Sequence, residues 1–228
     1  FVRDKDAFLI STYFPTKELV KLELALKQLP QIWRKSELKT NTKPNKLLRK
    51  YLSKKFIKKT QSELENILRS LLFELIPVCY LEGFEELKKI LNEQPWPKSP
   101  KLIFTSNNFG TDEIFKLYTA INTENGTKYF IGQHGNNYFT SRYHFPRIEE
   151  QTADRFFTWG WKGSSKYIPT FIFKTIGLSG NHNTNGGLLL VERPQEQRLY
   201  PWDTHSDFLR YFEDQINFVK NLKNEPKQ

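Results

Sequence analysis

Apolar and polar positions along this chain follow two rhythms. Short unbroken apolar runs (AFLIST at 7–12, KLIFTS at 101–106, KYFIGQ at 128–133, DRFFTWGW at 154–161) sit between Gly, Asn, Asp or Pro residues. Runs of this length with no polar alternation predict strands buried on both faces, as in a parallel sheet between helices. A further run, GLLLVERP at 187–194, predicts one more buried strand. Between the runs, leucines recur at helical spacing. Leu19, Leu22, Leu26 and Leu29 predict a helix that follows Thr16 as cap and is stopped by Pro30. From Asn45 to Ile76 a longer pattern passes through Leu48, Leu52 and Phe56, then Leu64, Leu68, Leu71, Leu72 and Leu75. Gln61-Ser62 marks a break in it, and its second half reads as an ordinary amphipathic helix. LEGFEELKKILNEQ and TDEIFKLYTAIN predict two more helices, the latter capped by Thr111 after the turn NNFG. WDTHSDFLRYFEDQINFVKNL predicts a last one, capped by Asp203 or Thr204.

Strand, helix and strand in this order predict an α/β fold: a Rossmann-like parallel sheet with flanking helices. Residues 1–180 are expected to form that domain. GNHNTNGG at 180–187 reads as a linker, and residues 181–228 as the start of a second domain. No apolar run approaches the ~20 residues of a membrane-spanning helix, and no signal peptide opens the chain. The one cysteine, Cys79, lies in LIPVCYL and is expected to pack in a core rather than react. A lone cysteine also points to a reducing compartment. A chain of 228 residues that begins at Phe1 and holds no methionine is expected to be a piece of a longer protein, or a sequence from which modified methionines are missing.

The net charge of +10 is concentrated in one place. Arg34 to Thr60 holds eleven Lys or Arg against a single acid, Glu37, a surplus that matches the whole excess. Such a segment is either a solvated face or an anion-facing patch for phospholipid headgroups, nucleic acid or a charged glycan. Aromatic residues are not interleaved with the cations, apart from Tyr51 and Phe56, which makes a nucleic-acid-binding module the weaker reading.

In an open α/β sheet, ligands gather where loops leave the carboxyl ends of the strands. Three loops would converge there: Thr105 to Asp112, Gly132 to Arg142 and Thr158 to Lys162. In the first, Asp112 and Glu113 suit the start of a helix. That leaves Ser106, Asn107 and Asn108 as groups that can hold a sugar or another acceptor. In the second, His134 follows a buried strand directly, with glycines Gly132 and Gly135 close by. An imidazole near pKa ~6.5 can take a proton from a hydroxyl at neutral pH, or serve as a structural hydrogen-bonder. Gln133, Asn136 and Asn137 add amides, and Arg142 is either a clamp for phosphate or carboxylate or part of a surface salt bridge. In the third loop, Trp159 and Trp161 are core or a stacking platform. No residues stand at metal-ligand spacing, and His144, His182 and His205 are assigned structural or solvent roles.

Together, KLIFTSNNFGTDEIFKLYTA, GTKYFIGQHGNNYFTSRY, EEQTADRFFTWGW and the closing GLLLVERP with FLRYFEDQINFV resemble a family of bacterial surface-polysaccharide (O-antigen) transferases. Gln133-His134-Gly135 is more distantly similar to a loop of Kdo transferases and of CDP-glycerol glycerophosphotransferases. The resemblance spans Ala7 to Leu222 and is densest from Lys101 to Trp161; Phe139 stands where a small residue is usual. It implies the amino-terminal, acceptor-side half of a GT-B-type glycosyltransferase or related polyol-phosphate transferase. His134 would be the catalytic base or an acceptor ligand, and Ser106, Asn107, Asn108, Gln133, Gly135, Asn136, Asn137 and Arg142 would contact the acceptor. The donor would be a nucleotide-activated sugar used as substrate, with no bound metal or cofactor. The acceptor would be a carbohydrate, lipid-linked acceptors included. The expected location is cytoplasmic, with Arg34–Lys59 resting on the anionic inner face of the membrane; a non-catalytic glycan-binding scaffold is the other alternative.

Overall fold

The computed structural model describes residues 1–56, 60–135, 138, 147–178, 180, 186–191 and 205–222, with backbone only for 205–208. The chain divides into two compact units, Phe1–Leu178 and Ser179–Gln228. The first unit is an α/β body around a five-stranded sheet in which every neighbouring pair is parallel. Its strands are β1 (Phe8–Ile10), β2 (Leu102–Thr105), β3 (Lys128–Gly132), β4 (Arg155–Thr158) and β5 (Tyr167–Pro169), in that spatial order. The four expected strands in this unit are all present, and the Rossmann-like arrangement predicted from them is the observed one.

Apolar runs without alternation place side chains on both faces of the sheet, and both faces are covered. On one, Phe8, Ile10, Ile103, Tyr129, Ile131 and Phe156 meet Leu87 and Leu91 of helix α4 (Phe84–Asn92) and Ile114, Phe115 and Tyr118 of α5 (Glu113–Glu124). On the other, Ala7, Leu9 and Phe104 meet Leu19 of α1 (Thr16–Ala25) and Phe173. The chain therefore leaves β1 over one face through α1 and touches the outer edge of β1 at the bridge Ile10↔Trp33. It then reaches β2 on the inner edge by way of the opposite face. The two connections diverge at the carboxyl end of β1. Such a divergence opens a crevice between the loops that follow β1 and β2.

Several local expectations are corrected. Asp112, not Thr111, caps α5, its Oδ1 accepting from Phe115 N at 2.9 Å. Thr16 is the first helical residue of α1, after an N-cap at Pro15 that makes no side-chain hydrogen bond. That helix stops at Ala25 with Lys27 at φ +61°, before Pro30 is reached. The long pattern breaks as expected into α2 (Lys46–Phe56) and α3 (Glu63–Leu75), with Ser62 accepting from Glu65 N. Neither β5 nor the short helix α6 (Ile148–Thr152) was foreseen. β5 ends on Pro169, which lacks an N–H and is tolerated because β5 is an edge strand.

In the second unit, residues 187–191 form no strand, and their leucines and Val191 lie open, at 36–82% exposure. An apolar run becomes a strand only with a ladder to join, and none is offered among the described residues. α7 (His205–Asn221) is the expected closing helix, and its foreseen caps Asp203 and Thr204 lie outside the described residues. No helix among the described residues is long and apolar enough to cross a membrane.

A candidate active site at the carboxyl edge of the sheet

The loops after β1, β2, β3 and β4 are tied to one another by side chains. Ser106 is fully buried; its Oγ donates to Thr12 O at 3.1 Å and its N–H to Ser11 O at 3.0 Å. Asn108, also buried, donates through Nδ2 to Asp112 Oδ2 at 2.9 Å and accepts from Ser11 Oγ at 3.2 Å. Asn107 is half-buried, and its Nδ2 donates to Tyr13 Oη at 2.7 Å. Ser11 and Tyr13 hold positive φ of 48° and 61°. Non-glycine residues in that region cost about 1–3 kcal/mol each and persist where the surroundings over-determine them. The β1 loop, absent from the sequence expectation, thus belongs to the same rim.

Gln133 stitches the next two loops. Its Oε1 accepts from Trp159 N at 2.8 Å and Trp161 Nε1 at 2.7 Å, while its Nε2 donates to Gly135 O at 2.6 Å. Trp161 is half-buried and packs against the core at Phe156 and Tyr167. Trp159 is half-buried, and its Nε1 lies out of solvent with no partner among the described residues. Gly132 has a packing reason rather than a ligand-approach one: a Cβ there would meet the Phe173 ring at 2.2 Å.

His134 is half-buried at the end of this line. Its ring meets those of Phe109 and Tyr138 in edge-to-face contacts. Tyr138 Oη lies 2.9 Å from His134 Nδ1 and donates to Glu149 Oε1 at 3.0 Å. A carboxylate only accepts, so the single phenolic proton goes to Glu149, and the phenol oxygen is left to accept from Nδ1–H. In the neutral tautomer that this bond selects, Nε2 carries the lone pair, and on protonation the imidazolium gains a further acceptor in the Ser106 backbone. Arg147 sits over the Tyr138 ring at 4.7 Å and near Glu149 at 4.0 Å. Burial pushes the imidazole below its ordinary pKa. The Glu149 charge opposes that shift, Arg147 adds to it, and a hydrogen bond with the Ser106 backbone opposes it. Burial and the same carboxylate drive the Tyr138 phenol strongly upward, which keeps it neutral.

The structure thus brings Ser106, Asn107, Asn108, Gln133, His134 and Gly135 to one edge of the sheet, but turns the side chains of Ser106, Asn108 and Gln133 into the protein. Asn136, Asn137, Arg142 and Phe139 lie outside the described residues, as do His144 and His182. Sequence reasoning missed Tyr138, Arg147 and Glu149. A cavity of ≈ 1120 Å³ between α5 and α6 shares Phe109, Arg147 and Glu149 with this cluster, though His134 does not line it. Among the described residues no group of three His, Cys, Asp or Glu side chains gathers to hold a metal ion. Cys79 is buried, with its thiol pushed up by desolvation, consistent with packing rather than nucleophilic chemistry.

No curated protein and no solved structure matches the chain. A family model does, over residues 1–228: that of the LIC12162 family transferases. A parallel sheet with a divergence at its first strand, and a half-buried imidazole on its carboxyl rim, is therefore the frame of a member of the LIC12162 transferase family, to which this chain belongs along its whole length.

Proposed function

We propose that this chain is the acceptor-side half of a GT-B-type glycosyltransferase of surface-polysaccharide assembly, with His134 as its general base. The arrangement of His134, Tyr138 and Glu149 is the observation that carries this reading. The acceptor hydroxyl gives its proton to His134 Nε2 while its oxygen forms a bond to the anomeric carbon of a nucleotide-activated sugar. The bond from that carbon to the phosphate oxygen breaks, and the nucleotide leaves with the electron pair. The new imidazolium is steadied by Tyr138, which holds Nδ1–H, and by Glu149 behind it. A related polyol-phosphate transferase would use the same base with phosphorus as the electrophile. Asn107 and Tyr13, on the rim and partly open, would bind acceptor hydroxyls, joined by Asn136, Asn137 and Arg142. Ser106, Asn108 and Gln133 hold the loops that carry them.

Support comes from the transferase family, the position of the rim at a divergence of strand connections, and the hydrogen-bonded orientation of one imidazole. His134→Ala tests it. Turnover of nucleotide-activated sugars by the whole protein should fall by about 10²–10⁴, the usual contribution of a general base, with an unchanged far-UV spectrum. Unchanged turnover would remove His134 from the chemistry.

A further inference from the structure

α3 presents its apolar side outward. Leu64, Ile67, Leu68, Leu71, Leu72 and Leu75 form one stripe at helical spacing, and each is 38–73% exposed. The opposite side holds Asn66 and Phe73, and Asn66 bonds Thr60. An amphipathic helix that packs on its own protein does the reverse. Sequence periodicity predicted an ordinary amphipathic helix here; among the described residues α3 has no buried residue.

The neighbouring helix supplies the chemistry of a partner. α2 carries Lys46, Lys50, Lys54 and Lys55, all exposed, and no acid. Leu47 and Tyr51 are exposed between them, and the Lys55 ammonium lies 5.5 Å from the Tyr51 ring centre. On α3, Glu65 is met by Arg69 at 2.7 Å and Glu63 and Glu74 are exposed, so the attraction to anionic lipid rests on α2. Arg49, the one buried cation of α2, ties the hairpin together instead of serving as part of the patch. It holds Glu82 through two contacts of 2.7 Å and donates to the Phe73, Glu74 and Ile76 carbonyls at the end of α3.

We propose that the α2–α3 hairpin is a membrane-docking element. α3 would lie flat in the headgroup region of an anionic bilayer, its aliphatic stripe among the acyl chains and the α2 lysines on lipid phosphates. Aliphatic side chains flanked by lysines are the composition of interfacial helices. The expected basic contact therefore gains an apolar component on a different helix. A second copy of the chain fits the face less well, because a two-fold pair would set one lysine-rich helix against another. The inference stands on the hairpin and does not depend on the role of His134.

Co-sedimentation of the whole chain with vesicles of phosphatidylcholine containing about a quarter phosphatidylglycerol tests it. Binding should be roughly tenfold weaker on phosphatidylcholine alone. The exposed-face variant Leu68→Glu/Leu72→Glu should lose roughly tenfold or more while melting normally. Lys50→Glu/Lys54→Glu should weaken binding in low salt and matter little in high salt, where the apolar component remains. The proposal is overturned if neither vesicle binds, or if Leu68→Glu/Leu72→Glu binds as well as the parent. It is equally overturned by lipid-free dimers in sedimentation velocity that this variant dissociates, which would give the face to a second copy. Salt-dependent retention of duplex DNA without vesicle binding would give it to nucleic acid.

Discussion

The carboxyl rim of the sheet and the α2–α3 hairpin belong to one folded unit and treat their side chains in opposite ways. At the rim, polar groups are buried and bonded: Ser106, Asn108, Asp112 and Gln133 are all nearly inaccessible, and each has protein partners. On the hairpin, apolar groups are open and a cation, Arg49, is inside. A buried polar group left without a partner costs about 1–3 kcal/mol, so the rim residues hold the loops first. Among the described rim side chains discussed above, the partly open His134, Asn107 and Tyr13 remain to meet a ligand there. Among the described residues of this unit, the exposed aliphatic stripe carries no such internal duty, which leaves it available to a partner. The difference teaches where to look for function: at the rim in the few groups not fully spent, and on the hairpin in the whole face.

Substitutions should separate the two regions, and the largest effect is the one on turnover by His134→Ala. Next comes Gly132→Ala at the rim. Its Cβ would overlap the Phe173 ring, and overpacking of this kind costs about 1–3 kcal/mol, read as a lower Tm. Asn108→Ala should lose a comparable amount, about 1–3 kcal/mol, because Ser11 and Asp112 each lose a buried partner. By contrast, Leu68→Glu/Leu72→Glu should leave stability within about 0.5 kcal/mol in thermal melts, as surface changes usually do. A large loss there would mean that the stripe is core after all.

Two pH effects sharpen the comparison. At the rim, the base works only when neutral. Its lowered pKa keeps turnover level through neutral pH and confines the acid-side fall to values below the ordinary imidazole range. Glu149→Gln removes a charge that favours the imidazolium, so the acid limb should move to lower pH; Arg147→Gln should move it up. At the hairpin, the hydrogen bonds from Arg49 hold the Glu82 carboxyl down to about 2. A depressed carboxylate stabilises the fold above its unfolded value near ~4.3. That contribution is lost as the pH falls from there through about 2. Glu82→Gln should flatten this part of the acid melting curve.

Much of the fold was legible because its strands are apolar on both faces and its helices carry periodic leucines. β5 escaped because it is three residues long and ends in proline, and α6 because five residues are too few to show a period. The β1 loop escaped for another reason: Ser11 and Tyr13 take positive φ without the Gly or Asn that announces it. At the site, His134 was legible from its place after a strand. Its partners were not, since Glu149 reaches Tyr138 from eleven residues away through folding alone. Periodicity showed the α3 stripe but carries no information on which way a helix turns.

The central claim is that the neutral His134 ring is held with its proton on Nδ1, toward Tyr138, so that Nε2 is the basic nitrogen. Long-range ¹⁵N–¹H NMR of the histidine rings, with His134→Ala to assign the signal, reads this directly. The account predicts a neutral Nδ1–H form at pH 7, a titration midpoint below that of an exposed histidine, and a further fall in Glu149→Gln. A neutral ring protonated on Nε2, or a midpoint unmoved by Glu149→Gln, would contradict it.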